Sequence, residues 1–93
     1  MPGPKSVHVR IEGRVQGVWY RAWTLEEAGK LGLSGWVRNR HDGAVEAVFS
    51  GDEASVDRML KLCQDGPPLA SVSAVIEDPC EPPEPGFKTK STA

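Results

Sequence analysis

The sequence predicts an α+β sandwich in which four antiparallel strands form one sheet and two helices cover one of its faces. Two observations lead to this fold class. Apolar residues alternate with polar ones in four short stretches, and two intervening stretches carry apolar residues at helical spacing. The resulting order is strand, helix, strand, strand, helix, strand, and right-handed crossovers then put both helices on one side of the sheet. This βαββαβ order is that of the ferredoxin-like sandwich, an architecture that hosts many unrelated functions.

The first strand is predicted over residues 7–12. Its apolar side consists of Val7, Val9 and Ile11. A stretch with two glycines then breaks the alternation, and the first helix is predicted from Tyr20 to about residue 31, before Gly32. The apolar face of that helix is expected to consist of Leu25, Ala28 and Leu31.

Residues 33–39 and 44–50 are predicted to form the second and third strands. The turn between them contains Asp42-Gly43, a dipeptide that is typical of β-hairpins. One side of the third strand consists of Val45, Ala47 and Phe49. We therefore expect these two strands to form the hairpin that joins the halves of the fold.

The second helix has the clearest periodic pattern in the chain. Its apolar residues recur at i, i+3, i+4 and i+7, namely Val56, Met59, Leu60 and Cys63. Asp52 is expected to cap its first turn, and Gly66 to end it. The fourth strand follows, with one side consisting of Ala70, Val72, Ala74 and Ile76. Beyond Glu77 the tail is rich in proline, and a short edge strand is expected around Phe87.

Length and composition indicate a single domain over residues 1–93, with a core at about 6–77 and a loosely defined tail at 78–93. The formal net charge of −2 argues against a dedicated nucleic-acid-binding protein. No apolar run approaches the roughly 18 residues of a membrane span, and no secretion signal is evident. We therefore expect a cytoplasmic protein with no membrane partner.

The cysteines and histidines do not form a metal-binding motif. Cys63 is interpreted as a buried apolar residue, whereas Cys80 has no assigned role. Neither cysteine lies in a C-x-x-C or other metal spacing, and His8 and His41 are the additional soft ligands that the sequence offers. No metal site is predicted.

The stretch G-R-V-Q-G-V-W-Y-R, from Gly13 to Arg21, joins the first strand to the first helix. Its glycines permit backbone angles at which several N–H groups converge on one anion, at a helix start that favours negative charge. Arg21 can add two parallel hydrogen bonds to phosphate oxygens. The alternative interpretation is a loop followed by an arginine that is simply solvated.

The stretch G-W-V-R-N-R-H-D-G-A-V-E, from Gly35 to Glu46, contains Asn39 at the end of the second strand. An amide there can hold a water molecule through its C=O and donate an N–H elsewhere. The alternative interpretation is that Asn39 forms a turn. His41 is interpreted as a turn residue, and no general base is identified.

Together these two stretches resemble the acylphosphatase family. The later G-P-P-L-A-S-V stretch, from Gly66 to Val72, and the phenylalanine near the C-terminus are also similar to that family. Tyr20 stands where phenylalanine is commoner, a change that keeps the aromatic ring and is expected to matter little. The βαββαβ order agrees with the family's fold.

The resemblance implies hydrolysis of an acyl phosphate to a carboxylate and inorganic phosphate. It implies that Arg21 binds the phosphate and that Asn39 positions the attacking water. The implied phosphate-binding loop consists of Val15, Gln16, Gly17, Val18, Trp19 and Tyr20. It further implies a small-molecule substrate and no metal or organic cofactor, and we expect a monomer. The physiological acyl phosphate is not identified.

Some interpretations stay open beside this one. Trp19 either packs against the sheet or covers one of its edges, or it forms a wall on the acyl side of the substrate. The same site could handle carbamoyl phosphate for a larger enzyme, although 93 residues leave little room for a fused module. An RNA-binding module would need exposed aromatic residues on the central strands. A phosphate-binding domain without turnover is the remaining alternative.

Overall fold

The helices and strands occur in the predicted order, with one further strand at the end. The structure is a computed structural model that describes residues 3–93. Its elements are β1 (Pro4–Arg14), α1 (Tyr20–Lys30), β2 (Ser34–Asn39), β3 (Val45–Asp52), α2 (Glu53–Asp65), β4 (Ser71–Pro79) and β5 (Phe87–Thr89). Each element predicted from the apolar pattern is therefore present, and β1 is longer than expected at both ends.

The strands form a five-stranded mixed sheet in the order β4-β1-β3-β2-β5. Strands β1 to β4 pair antiparallel, as predicted, whereas β5 lies parallel to β2. The sheet therefore has one strand more than the predicted four, and this strand is the short edge strand expected around Phe87. The tail returns to the free edge of β2 because Phe87 stacks on the buried Phe49, with ring centroids 5.7 Å apart. Backbone hydrogen bonds continue beyond β5, since Lys90 N donates to Val37 O.

The core lies between one face of the sheet and both helices. The apolar sides predicted for the first and third strands are buried, as is the apolar face predicted for the second helix. The cap of that helix is also confirmed, because Asp52 Oδ2 accepts a hydrogen bond of 3.3 Å from Ser55 N. Gly66 ends the helix with a φ of 66°. In the described part of the chain, neither helix has the length and apolar character needed to cross a membrane.

The apolar face predicted for α1 is partly wrong. Leu25 is 39% exposed, and the residues that α1 buries completely are Tyr20, Thr24 and Ala28. The spacing of four between these residues describes a narrower stripe than the predicted face. Thr24 tolerates burial because its hydroxyl donates to Tyr20 O at 2.8 Å. Leu25 is consequently directed away from the core.

A β-bulge changes the face that β4 presents to the core. The pairing with β1 shifts between Glu12 and Gly13, so that Ser73 is left as an extra residue. Val72 and Val75 therefore both pack against the core, whereas Ile76 is 45% exposed. The predicted alternation through Ile76 is wrong for this reason, because one inserted residue reverses the direction of every later side chain.

The other face of the sheet carries a network of charged side chains around Glu46. Its carboxylate accepts from Arg38 Nε at 2.6 Å and contacts His8 Nε2 at 2.5 Å. Burial raises the pKa of Glu46, but the hydrogen bonds from His8 and Arg38 outweigh it and hold the pKa below its ordinary value. Two cations also lie over the ring of Trp36. The Arg38 guanidinium is 4.8 Å from the ring centroid, and the Lys90 ammonium is 4.5 Å from it.

Candidate active site

The end of β1 and the loop between β1 and α1 have the backbone conformation that their glycines predict. Gly13 has a φ of 124° and Gly17 a φ of 72°, both in the region that favours glycine. A Cβ at Gly13 would lie 2.2 Å from Ser71 O, so the end of β1 lies close against β4 at this position. No atom would lie within 4 Å of a Cβ at Gly17, where only the positive φ favours glycine.

The N-terminus of α1 is left without a cap. Trp19 is the N-cap residue, with φ 68° and ψ 19°, and no side chain accepts a hydrogen bond from the first turn. The first turn also contains no acidic residue. The early N–H groups of a helix have no partner within the helix, and its dipole favours an anion beside them. The backbone N–H groups in the first turn of α1 therefore have neither a capping side chain nor an acidic residue beside them.

Trp19 is strained as well as exposed. Within residues 3–93 it is the one non-glycine residue with a positive φ. The left-handed conformation costs an L-residue about 1–2 kcal/mol. Its side chain is 77% exposed, so burial of the ring does not offset this cost.

Tyr20 anchors the start of α1 to the end of α2. Its hydroxyl donates a buried hydrogen bond of 2.6 Å to the carbonyl of Cys63, in the last turn of α2. The ring packs edge-on against Trp23 at 5.3 Å. Burial raises the pKa of the Tyr20 hydroxyl, which stays protonated as a donor, and raises the pKa of the Cys63 thiol to about 12. The hydroxyl, expected from the sequence to matter little, thus has a defined partner.

Gln16 connects the loop to the turn between β2 and β3. Its side-chain amide donates to Arg40 O at 2.7 Å and to Ala44 O at 2.8 Å. Those carbonyls flank the turn that follows Asn39. Both amide hydrogens of the Gln16 side chain are therefore occupied, so a hydrogen bond that Gln16 donates to an anion must come from its backbone N–H.

Arg21, Asn39 and part of the loop border one open cavity of about 560 Å³. Six of the eight residues predicted for the site line it, namely Val15, Gly17, Trp19, Tyr20, Arg21 and Asn39. The other two do not, because Gln16 is turned toward the β2–β3 turn and Val18 is buried in the core. Asn39 reaches the cavity from the same side of β2 as Val37, as its position in the strand predicts.

The cavity also has three lining residues that the sequence did not indicate, Ala22, Leu25 and Thr89. Leu25 was assigned to the core because its spacing fits a helical face. Thr89 comes from β5, whose pairing with β2 depends on contacts across the whole chain. No local signal marked Thr89.

The charge in the cavity comes from Arg21, which takes part in none of the ion pairs found within residues 3–93. The nearby turn is different. There the Ala44 N–H and the Arg10 guanidinium hold the pKa of Asp42 below its ordinary value. An accessible guanidinium beside uncapped amides, with a neutral amide opposite, can bind an oxyanion and orient a water molecule.

The comparisons with known proteins agree with one family. The family model described as Acylphosphatase matches residues 7–89. An acylphosphatase of Rhodospirillum rubrum is 56% identical over 87 residues, which cover 92% of this chain and 96% of that relative.

Solved structures give the same result. An acylphosphatase from Coxiella burnetii has a TM-score of 0.89 at 33% identity, covering 94% of this chain and 93% of that one. An acylphosphatase from Bacillus subtilis has a TM-score of 0.83 at 32% identity, covering 91% of this chain and 97% of that one. The chain belongs to the acylphosphatase family.

Proposed function

We propose that the cavity between the loop, α1 and Asn39 is the active site. The activity is hydrolysis of the carboxyl–phosphate anhydride bond of an acyl phosphate, as membership of the family indicates. In our assignment Arg21 and the backbone amides of residues 15–20 bind the phosphoryl group. Asn39 orients the attacking water.

The reaction forms one bond and breaks one. A water oxygen attacks phosphorus, and the bond between phosphorus and the bridging oxygen breaks, so its electron pair leaves with the carboxylate. One proton of the attacking water stays on the oxygen that is now bound to phosphorus, and the other passes to a phosphoryl oxygen or to solvent, so the products are a carboxylate and inorganic phosphate. Because a carboxylate is a good leaving group, the site needs no strong general acid, and its task is alignment and charge stabilisation.

The proposal draws on the donors at the start of α1. The loop amides and the dipole of α1 provide fixed partial positive charge, and Arg21 provides a full charge with a bidentate fork. No acidic side chain in the first turn competes with the substrate for them. Such preorganised donors act most strongly on the charge that develops at the equatorial oxygens in the transition state.

Asn39 reaches the cavity from β2, whereas Arg21 reaches it from α1. Asn39 ends β2 and lines the cavity that Arg21 also lines. Gln16 helps to keep the two sides together, because its two hydrogen bonds join the phosphate-binding loop to the turn after Asn39. We assign Gln16 a positioning role, in addition to the backbone role predicted for it.

The observation that carries the proposal is the meeting of an uncapped helix start, Arg21 and Asn39 at one cavity. The test is release of benzoate from benzoyl phosphate by wild type, Arg21→Lys and Arg58→Lys. Arg58 is exposed on α2, away from the cavity, so Arg58→Lys is a matched control. Arg21→Lys keeps the charge but loses the fork, and we expect kcat/KM to fall on the order of a hundred-fold. Ordinary turnover in Arg21→Lys would refute the assignment.

We also propose a cytoplasmic monomer over residues 1–93 that uses no metal, organic cofactor or nucleic acid. Among residues 3–93, no three His, Cys, Asp or Glu side chains are grouped as metal ligands. The open face of the sheet offers a poor platform for a nucleotide base, because Arg38 and Lys90 already lie over Trp36. Size-exclusion chromatography with light scattering tests the oligomeric state.

A further inference from the structure

Trp19 lines the cavity, and most of its side chain is exposed to solvent. It is 77% exposed and Leu25 is 39% exposed, and both line the cavity of the proposed active site. The other large exposed apolar residues of the described chain, Leu69 and Ile76, lie outside this cavity. Two of these four exposed apolar side chains therefore line the same cavity.

The packing of the fold does not account for a tryptophan at position 19. The backbone there is left-handed, with φ 68° and ψ 19°, a conformation that favours glycine or asparagine. The exposed ring contributes little to the core. Strain that the fold does not require, at a residue bordering a ligand site, points to a functional role for the side chain.

The position of Trp19 in the chain determines which part of a substrate its ring can meet. The backbone of Trp19 belongs to the phosphate-binding loop, so its side chain starts beside the proposed phosphoryl position. Leu25 lies four residues after Arg21 and hence one turn along the same side of α1. In our assignment, a group joined to the phosphate through the bridging oxygen extends from the loop into the cavity that Trp19 and Leu25 both line.

We propose that Trp19 and Leu25 form an acyl-group subsite that favours acyl phosphates with a flat, apolar acyl group, such as an aryl group, over small acyl groups. This inference rests on the proposed function. An aromatic acyl group covers the exposed indole face by stacking and contacts the leucine side chain, and both contacts remove apolar surface from water. An acetyl group is too small to cover either.

The test compares kcat/KM for benzoyl phosphate with kcat/KM for acetyl phosphate in the full chain. The ratio of the two values is the relevant quantity, because both substrates carry the same phosphoryl group and effects on phosphate binding divide out. The ratio is measured for wild type, Trp19→Gly, Trp19→Phe and Leu25→Ala. Leu69→Ala is the matched control, since it removes an exposed apolar side chain outside the cavity.

We expect the ratio to fall about tenfold in Trp19→Gly, which removes the stacking surface but suits the left-handed backbone. Trp19→Phe should restore most of it, and Leu69→Ala should match wild type. Leu25→Ala should lower the ratio about threefold, and this variant decides the matter independently if Trp19→Gly does not fold.

The outcomes separate this inference from the one on which it rests. If the wild type hydrolyses both substrates but the ratio stays within about twofold in the Trp19→Gly and Leu25→Ala proteins, the subsite is wrong and the hydrolase stands. If the wild type hydrolyses neither substrate, the proposed function itself is wrong.

Discussion

Replacing Tyr20 by phenylalanine removes one oxygen atom from the interior and leaves the ring in place. That oxygen donates to the Cys63 carbonyl at 2.6 Å. Cys63 lies among the last four residues of α2, whose carbonyls have no partner within the helix. The substitution therefore leaves the buried Cys63 carbonyl without its hydrogen-bond donor, and it adds no new packing contact.

The magnitude follows from that geometry. An unsatisfied buried acceptor costs about 1–3 kcal/mol, more than the net worth of an average hydrogen bond. For a domain of this size, each kcal/mol lowers Tm by about 4–8 °C, so we expect Tyr20→Phe to melt roughly 4–24 °C below wild type. The ring contacts with Trp23 should persist, so the near-ultraviolet circular dichroism of the folded protein should change little.

The assay is urea denaturation followed by circular dichroism, with thermal melting as a second measurement. The midpoint should fall while the m value stays the same, because the extent of the unfolded surface does not change. Ser73→Ala is a suitable control, since it removes an exposed hydroxyl and should alter the free energy of unfolding by less than about 0.5 kcal/mol. A Tyr20→Phe protein as stable as wild type would show that the hydroxyl does not anchor α1 to α2.

Three further predictions concern the site and the open face of the sheet. Asn39→Ala should lower kcat by about 10²–10³ while competitive inhibition by inorganic phosphate is retained; parallel loss of phosphate affinity would make Asn39 a binding residue instead. Turnover of benzoyl phosphate should persist in excess EDTA, and a loss that added Mg²⁺ or Zn²⁺ restores would reveal a metal site. Glu46→Gln should be about 1.5–3 kcal/mol less stable than wild type at pH 7, because the ionised carboxylate accepts from His8 and Arg38. The folded state lowers the pKa of Glu46, so this stability is present above the ordinary value of 4.5 and is lost as pH falls through the folded pKa. A gap between the two proteins that stays constant in urea titrations from pH 7 to pH 3 would contradict this account of Glu46.

The predicted elements that the structure confirms are those specified by local patterns. The apolar face of α2, its cap at Asp52 and its end at Gly66 each depend on residues within one or two turns. The same holds for Gly13 and Gly17, whose positive φ angles are local properties. Within the candidate site, Arg21 and the loop are contiguous in the chain, so the sequence motif shows them directly.

The errors occur where a distant segment decides the outcome. Leu25 has the correct spacing for a core residue, yet α1 packs through Tyr20, Thr24 and Ala28 and leaves Leu25 at the cavity. Ile76 follows the alternation of β4, yet the bulge opposite Gly13 turns it outward. In both cases the local pattern allows two orientations that differ little in local energy.

The chain's local order of apolar, glycine and capping residues predicts the βαββαβ order, and the two stretches Gly13–Arg21 and Gly35–Glu46 carry the resemblance that implies the family and the two residues proposed for catalysis. Long-range pairing was needed for the rest. Through this pairing β5 lies at the edge of β2 and Thr89 lines the cavity. The Gln16 side chain likewise donates its hydrogen bonds to the turn after Asn39. Long-range packing also gave the Tyr20 hydroxyl a partner 43 residues away. Such contacts form because packing brings together segments that are far apart in the chain, and the local pattern of one segment does not specify the other. They stabilise the protein only when the whole sheet and both helices have formed.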